Sequence, residues 1–160
     1  MRRHTFDQTD GKQGWVRVRD EGDKVTMTYK RTFERTLHGT QEINLIVDDF
    51  DRASEFLEAI GLKKKAFQET KRESWAVNGC EVTLDTWPWI PPFIEIEGPS
   101  EEAVCGTATL LDLDWSKAMH GSVETVYQQH YEVTEKEVNS WPSITFAPVP
   151  EWLEKARKGR

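Results

Sequence analysis

The chain has 160 residues, room for one domain with a substantial core, although only 37% of them are hydrophobic. Its formal net charge of −7 argues against a broadly basic, nucleic-acid-binding surface, while a local basic cavity stays compatible with it. No apolar run reaches the roughly 18 residues of a membrane-crossing helix. The opening MRRHTFDQTDG lacks the apolar stretch of a signal peptide, and Cys80 and Cys105 form no CxxC pair, so the expectation is a cytoplasmic protein with reduced thiols.

In chain order, RHTFDQ reads as a strand, with a turn at Asp10-Gly11 before the strand WVRVRD. Glu21-Gly22-Asp23 reverses the chain into KVTMTYKR, a hairpin signal of β-branched alternation around glycine. A loop holding His38-Gly39 leads to TQEINLIV. The period then changes: in DDFDRASEFLEAIGL, Phe50, Ala53, Leu57 and Ile60 fall at helical spacing, with Asp48 or Asp49 to cap the start and Gly61 to end it. AFQETKRESWAV, an Asn78-Gly79 turn and CEVTLDTW form a second hairpin. The prolines of Trp87-Pro88-Trp89-Ile90-Pro91-Pro92 exclude a central strand, so this stretch reads as a rigid apolar connection before the last strand, FIEIEG. From Ser100 the chain turns helical. Ser100 caps one helix with Val104, Ala108 and Leu111 as its stripe, GSVETVYQQHY is a second, Thr134 and Glu137 have capping-box spacing, and EWLEKARKG closes as a short basic helix. Residues 1–132 form the main domain in this reading, and 133–160 a helical tail.

Strand side chains alternate faces, so residues two apart point the same way. Arg17 and Arg19 oppose Val16 and Val18; Glu42 and Asn44 oppose Ile43 and Leu45; Arg72 opposes Trp75 and Val77; Glu81 and Asp85 oppose Val82 and Leu84; Glu95 and Glu97 oppose Ile94 and Ile96. An antiparallel sheet with one face in water has the same pattern. Paired arginines in place of lysines, suited to bidentate phosphate contacts, favour a ligand-binding face. About six strands in a meander can also curl into a barrel with the polar face inward and helices on the apolar face. Buried charge needs partners. Arg17, Arg19, Lys30 and Arg72 would neutralise a triphosphate, and Glu42, Asp85, Glu95 and Glu97 would hold a hard divalent cation, Mg2+ or Mn2+.

The stretches WVRVRDEGDKVTMTYKR, TQEINLIVDDFDRASEFLEAIGL, QETKRESW, EVTLDTWP, FIEIEGPSEEAV and LLDLDWSKAMHGSVETVYQQHY, in this order, resemble the CYTH family of triphosphate tunnel proteins, which includes class IV adenylate cyclases and thiamine triphosphatases. The resemblance implies an α+β fold: a closed or nearly closed antiparallel β-barrel with helices packed outside. It implies phosphate binding by Arg17, Arg19, Lys30 and Arg72, metal binding by Glu95, Glu97, Asp85 and Glu42, and catalysis by Glu95, Glu97 and Lys30. The implied partner is a small molecule (ATP, thiamine triphosphate or inorganic triphosphate), with a lyase or hydrolase reaction. Two departures weigh against catalysis and favour a non-catalytic binding module. The family's opening ExExK strand has no counterpart in this sequence, and Asn44 stands where a second acidic residue is expected. A barrel short of one strand has an open edge that invites a second chain, with a homodimer as the candidate.

Overall fold

The computed structural model of the chain describes residues 1–7, 14–32 and 40–159, which form two compact units. The expected turn at Asp10-Gly11 and the loop at His38-Gly39 lie outside the described residues.

The first unit, Met1–Glu69 with Ser140–Thr145, holds a six-stranded sheet. Its strands are β1 (Arg2–Asp7), β2 (Trp15–Asp20), β3 (Val25–Thr32), β4 (Thr40–Val47), β5 (Lys63–Glu69) and β9 (Ser143–Ile144), in the spatial order β4-β3-β2-β1-β5-β9. All neighbours run antiparallel except β5 and β9, which are parallel. Between β4 and β5 the chain forms helix α1 (Phe50–Ala59), where Asp49 accepts from the Arg52 amide at 2.7 Å. Gly61, at φ 98°, provides the left-handed residue that stops the helix. The apolar stripe of α1 covers one sheet face: Phe50 and Leu57 pack with Phe6, Val16 and Val18. Full burial of such side chains stabilises the unit by about 1.5–3 kcal/mol each.

The second unit, Thr70–Asn139 with Phe146–Arg160, is built on a three-stranded antiparallel sheet. Its order is β6 (Lys71–Val77), β7 (Cys80–Thr86) and β8 (Phe93–Glu97). Asn78 at φ 52° and Gly79 at φ 77° close the β6–β7 hairpin, as the paired positive φ values of a tight turn require. Helices α2 (Glu101–Leu110), α3 (Val123–His130), α4 (Glu135–Val138) and α5 (Glu151–Glu154) follow, with a 3-10 turn at Trp115–Lys117. The caps read from sequence form: Ser100 accepts from the Ala103 amide, and Thr134 and Glu137 complete a reciprocal capping box. The proline-rich connection is clamped at three points. Tyr127 donates to the Pro88 carbonyl at 2.7 Å, Tyr131 to the Trp89 carbonyl at 2.5 Å, and the Trp89 indole to the Ala147 carbonyl at 2.9 Å. These bonds hold Trp89 at φ 70°, a backbone conformation that side-chain-bearing residues rarely adopt.

Three expectations are corrected. AFQETKRESWAV is not one strand: it divides at Thr70 into β5 and β6, which belong to different sheets. FIEIEG is not the last strand, because Ser143–Ile144 adds to β5. On α2, Thr107 is fully buried beside Ala108, whereas Leu111 is 37% exposed. The α+β class with mainly antiparallel strands is as expected.

Candidate functional site

In the first unit the register decides which charges meet. Arg3 lies directly opposite Arg19, and Thr5 opposite Arg17. Arg17 then lies opposite Thr28 and Arg19 opposite Thr26, while β4 sets Glu42 opposite Lys30 and Asn44 opposite Thr28. Directly opposed residues share a face. Arg3, Arg17, Arg19, Lys30, Glu42 and Asn44 therefore stand on one face, and Val16 and Val18 turn the other way into the core.

This face is ordered by hydrogen bonds. The buried Thr28 hydroxyl donates to Asn44 Oδ1 at 2.6 Å, and Asn44 Nδ2 donates to Glu42 Oε1 at 2.9 Å. Lys30 Nζ lies 3.4 Å from Glu42 Oε2. The Asn44 amide, and then the charges of Lys30 and Arg17, hold the Glu42 carboxyl below the usual carboxylate range. Asn44 thus takes a positioning role that an aspartate or glutamate could not fill, because its amide donates to a carboxylate. At the end of β2, Glu21 accepts from Arg19 Nε at 2.8 Å and from the Thr26 hydroxyl at 3.4 Å.

In the second unit, Arg72 lies opposite Asp85, Thr83 opposite Glu95, and Glu81 opposite Glu97. The guanidinium of Arg72 grips both oxygens of Asp85, at 2.7 and 2.5 Å, and reaches Glu95 Oε2 at 2.7 Å. Asp85 is 1% exposed, so this is a largely desolvated pair. Burial, then the hydrogen bond and charge of Asp85, pushes Glu95 up to about 7, against the opposing pull of Arg72. Asp85 in turn anchors Arg72 and strengthens its hold on its proton.

The eight residues expected at the site thus fall into two groups. Arg17, Arg19, Lys30 and Glu42 share one face in the first unit; Arg72, Asp85, Glu95 and Glu97 share one in the second. Arg3 joins the first group, and sequence periodicity did not single it out: its place follows from the β1–β2 register, which the sequence shows only through the alternation of Arg3, Thr5 and Asp7.

Three of the acidic side chains are committed to protein partners. Asp85 and Glu95 turn their oxygens to Arg72, and Glu42 turns its own to Asn44 and Lys30. Among the described residues no three His, Cys, Asp or Glu side chains converge on one point. As placed, Glu42, Asp85, Glu95 and Glu97 do not form a ready divalent-cation site.

The comparisons agree with this architecture. Solved structures resemble the chain at low identity. A conserved hypothetical protein from Pyrococcus furiosus aligns with a TM-score of 0.60 and 21% identity, over 74% of this chain and 76% of that one. A protein from Pyrococcus horikoshii aligns with a TM-score of 0.58 and 19% identity, over 74% and 76%. A proposed adenylate cyclase from Bacillus halodurans aligns with a TM-score of 0.53 and 20% identity, over 78% and 80%. These likenesses show a shared fold. No curated protein matches the chain. The CYTH domain matches residues 5–131, and with most of its length accounted for in this way the chain belongs to the CYTH family.

Proposed function

We propose that this protein binds a triphosphate through its cationic strand faces and processes it, either as a cyclase or as a phosphohydrolase. One observation carries the reading: Arg3 and Arg19 are direct cross-strand neighbours, with Arg17 two residues away on the same face. Like charges placed opposite each other destabilise a sheet by up to about 1 kcal/mol per pair. Glu21 already offsets part of this charge through Arg19, and a bound polyanion would add favourable contacts across the whole cluster. Arginine adds bidentate contacts to phosphate oxygens, and Lys30 adds a point charge. The closed tunnel of the family is part of this proposal, supported by the two polar faces, each within its own unit.

Phosphoryl chemistry calls mainly for positioning and charge neutralisation. In the hydrolase form, water attacks the terminal phosphorus, and the bond to its bridging oxygen breaks to release orthophosphate and a diphosphate. In the cyclase form, the ribose 3′-hydroxyl of ATP attacks the α-phosphorus and pyrophosphate leaves. Arg3, Arg17 and Arg19 would hold non-reacting phosphate oxygens in either case. Arg72, anchored by Asp85, would present its remaining N–H groups. CYTH proteins generally use a divalent cation; Mg2+ or Mn2+ would have to arrive with the triphosphate, because Asp85 and Glu95 here face Arg72 and Glu42 faces Lys30.

A second reading is a binding module without turnover, favoured by Asn44, which is committed to Thr28 and Glu42. ATP, thiamine triphosphate and inorganic triphosphate, each supplied with Mg2+ or Mn2+, separate the two. Metal-dependent release of cyclic AMP or phosphate supports the enzyme. Thermal stabilisation without any product supports the binder. Absence of both refutes triphosphate recognition. A homodimer through the β4 edge, where Ile43, Leu45 and Ile46 are 49%, 51% and 80% exposed, belongs to the same proposal; a monomer by sedimentation would exclude it.

A further inference from the structure

We propose that a cleft in the second unit binds a small organic cation, an amine or cationic heterocycle carried on an apolar body, independently of any triphosphate. The cleft has a volume of about 740 Å3 and is lined wholly by residues of that unit, from β8, helices α2 and α3, and the segment that joins the two helices. Small-molecule sites are commonly of this size, with mostly apolar walls and a few placed polar groups. β8 and the helices contribute Ile96, Ala108 and Val126. The joining segment contributes Leu113, Trp115 and Met119, which are 37%, 38% and 48% exposed. Large apolar side chains left facing water and gathered on one cleft are surface that a ligand with an apolar body would cover.

The charge bordering the cleft sets the sign of the ligand. Asp114 accepts from the Ser116 amide at 3.0 Å and hydroxyl at 2.7 Å, which fixes the 3-10 turn carrying Trp115. It also pairs at 3.4 Å with Lys117, the one lysine or arginine among the described residues that border the cleft. Glu95 and Glu97 border it as well, with Glu95 held by Arg72, and the site is assigned without them. Asp112 differs from these: it has no ion pair among the described residues, and it stands where an aspartate costs stability. The end of α2 is closed by Leu113 N–H donating to the Ala108 carbonyl at 2.9 Å and Asp112 N–H to the Thr109 carbonyl at 3.1 Å. Asp112 thereby takes φ 55°, at the left-handed position where glycine is usual. Its carboxylate also lies at the negative end of a ten-residue helix. An unfavourable backbone and an unfavourable charge at one residue, beside a cleft, point to a ligand that makes use of both. The carboxylate and the helix end together attract a cation, and the Trp115 ring offers it a π face. His120 meets Trp115 edge-on, with ring centroids 6.2 Å apart, and helps to orient the indole.

The test uses three probes of matched size, tryptamine, tryptophol and indole-3-acetate, whose side chains end in a cation, a neutral hydroxyl and an anion at pH 7. They are titrated calorimetrically into the full chain with no phosphate present. Tryptamine should bind saturably, tryptophol at least fivefold more weakly, and indole-3-acetate more weakly still. Asp112→Asn removes the charge and keeps a residue that tolerates the left-handed backbone; Asp112→Gly removes the strain as well. Each variant should weaken tryptamine binding at least threefold, leave tryptophol unchanged, and melt no lower than the wild type. Trp115→Leu should weaken tryptamine and tryptophol alike. No tryptamine binding at millimolar concentration, equal binding of the three probes, or unchanged tryptamine affinity in both Asp112 variants overturns the proposal. A wild-type dimer made monomeric by Met119→Lys would assign this wall to a second copy of the chain and overturn it too. Because the titrations contain no phosphate, their failure is distinct from a failure of triphosphate recognition.

Discussion

Replacing Arg72 by methionine tests the second charged cluster, because the two partners of its ion pair differ sharply in exposure. Arg72 is 30% exposed and Asp85 is 1% exposed. Removing Arg72 strands a carboxylate that has almost no access to water, a change that costs about 3–5 kcal/mol. Removing Asp85 instead leaves a guanidinium that reaches water and keeps Glu95, so the loss is that of a charged hydrogen bond, about 1.5–3 kcal/mol. In a chain of this size, each kcal/mol moves the melting temperature by roughly 2–4 °C. Arg72→Met should therefore melt roughly 10 °C below the wild type, and Asp85→Ala roughly 5 °C below. The double variant Arg72→Met/Asp85→Leu should recover much of the deficit, because an apolar pair of similar volume leaves no buried charge. Thermal melts followed by circular dichroism at pH 7 measure all three. If Asp85→Ala costs as much as Arg72→Met, or the double variant costs the sum of both, the burial argument is wrong.

Two further predictions follow from geometry and titration. Glu95 is raised from about 4.5 to about 7 on folding, so the folded state binds its proton more tightly; the associated stabilisation is complete below pH 4.5 and is lost as the pH rises through 7. Melting temperatures of the wild type and Glu95→Gln, recorded from pH 5 to 8, should diverge, with the wild type falling relative to the variant; parallel curves would contradict the assigned environment. Gly98→Ala would place a methyl group 2.6 Å from the buried Cys80 sulfur and 3.1 Å from Val104 Cγ2, an overpacking cost of about 1–3 kcal/mol, visible as a lower urea midpoint; an unchanged midpoint would show that Cys80 gives way freely.

The elements most legible in the sequence were those set by local chemistry. Asn78-Gly79, Asp49, Ser100 and the Thr134–Glu137 box each carry their own hydrogen-bonding or φ requirement, and each forms where expected. The alternation in WVRVRD likewise gave the correct buried face, because α1 supplies the apolar cover. Non-local pairing was less visible. Nothing near Thr70 marks the passage from one sheet to the other, and the Ser143–Ile144 pairing depends on chain that arrives more than seventy residues after β5. The placement of Arg3 opposite Arg19 needed a register that periodicity alone cannot supply. Asn44 read as a weakened ligand in the sequence; in the fold it is the donor that fixes Glu42.

Calorimetric titration of inorganic triphosphate into the wild type and into Arg17→Ala/Arg19→Ala probes the cationic face most directly. Two lost charge-assisted contacts, each worth about 1.5–3 kcal/mol, should weaken binding at least a hundredfold while the melting transition stays cooperative. Equal binding by the two proteins would contradict the assignment of this sheet face to phosphate recognition.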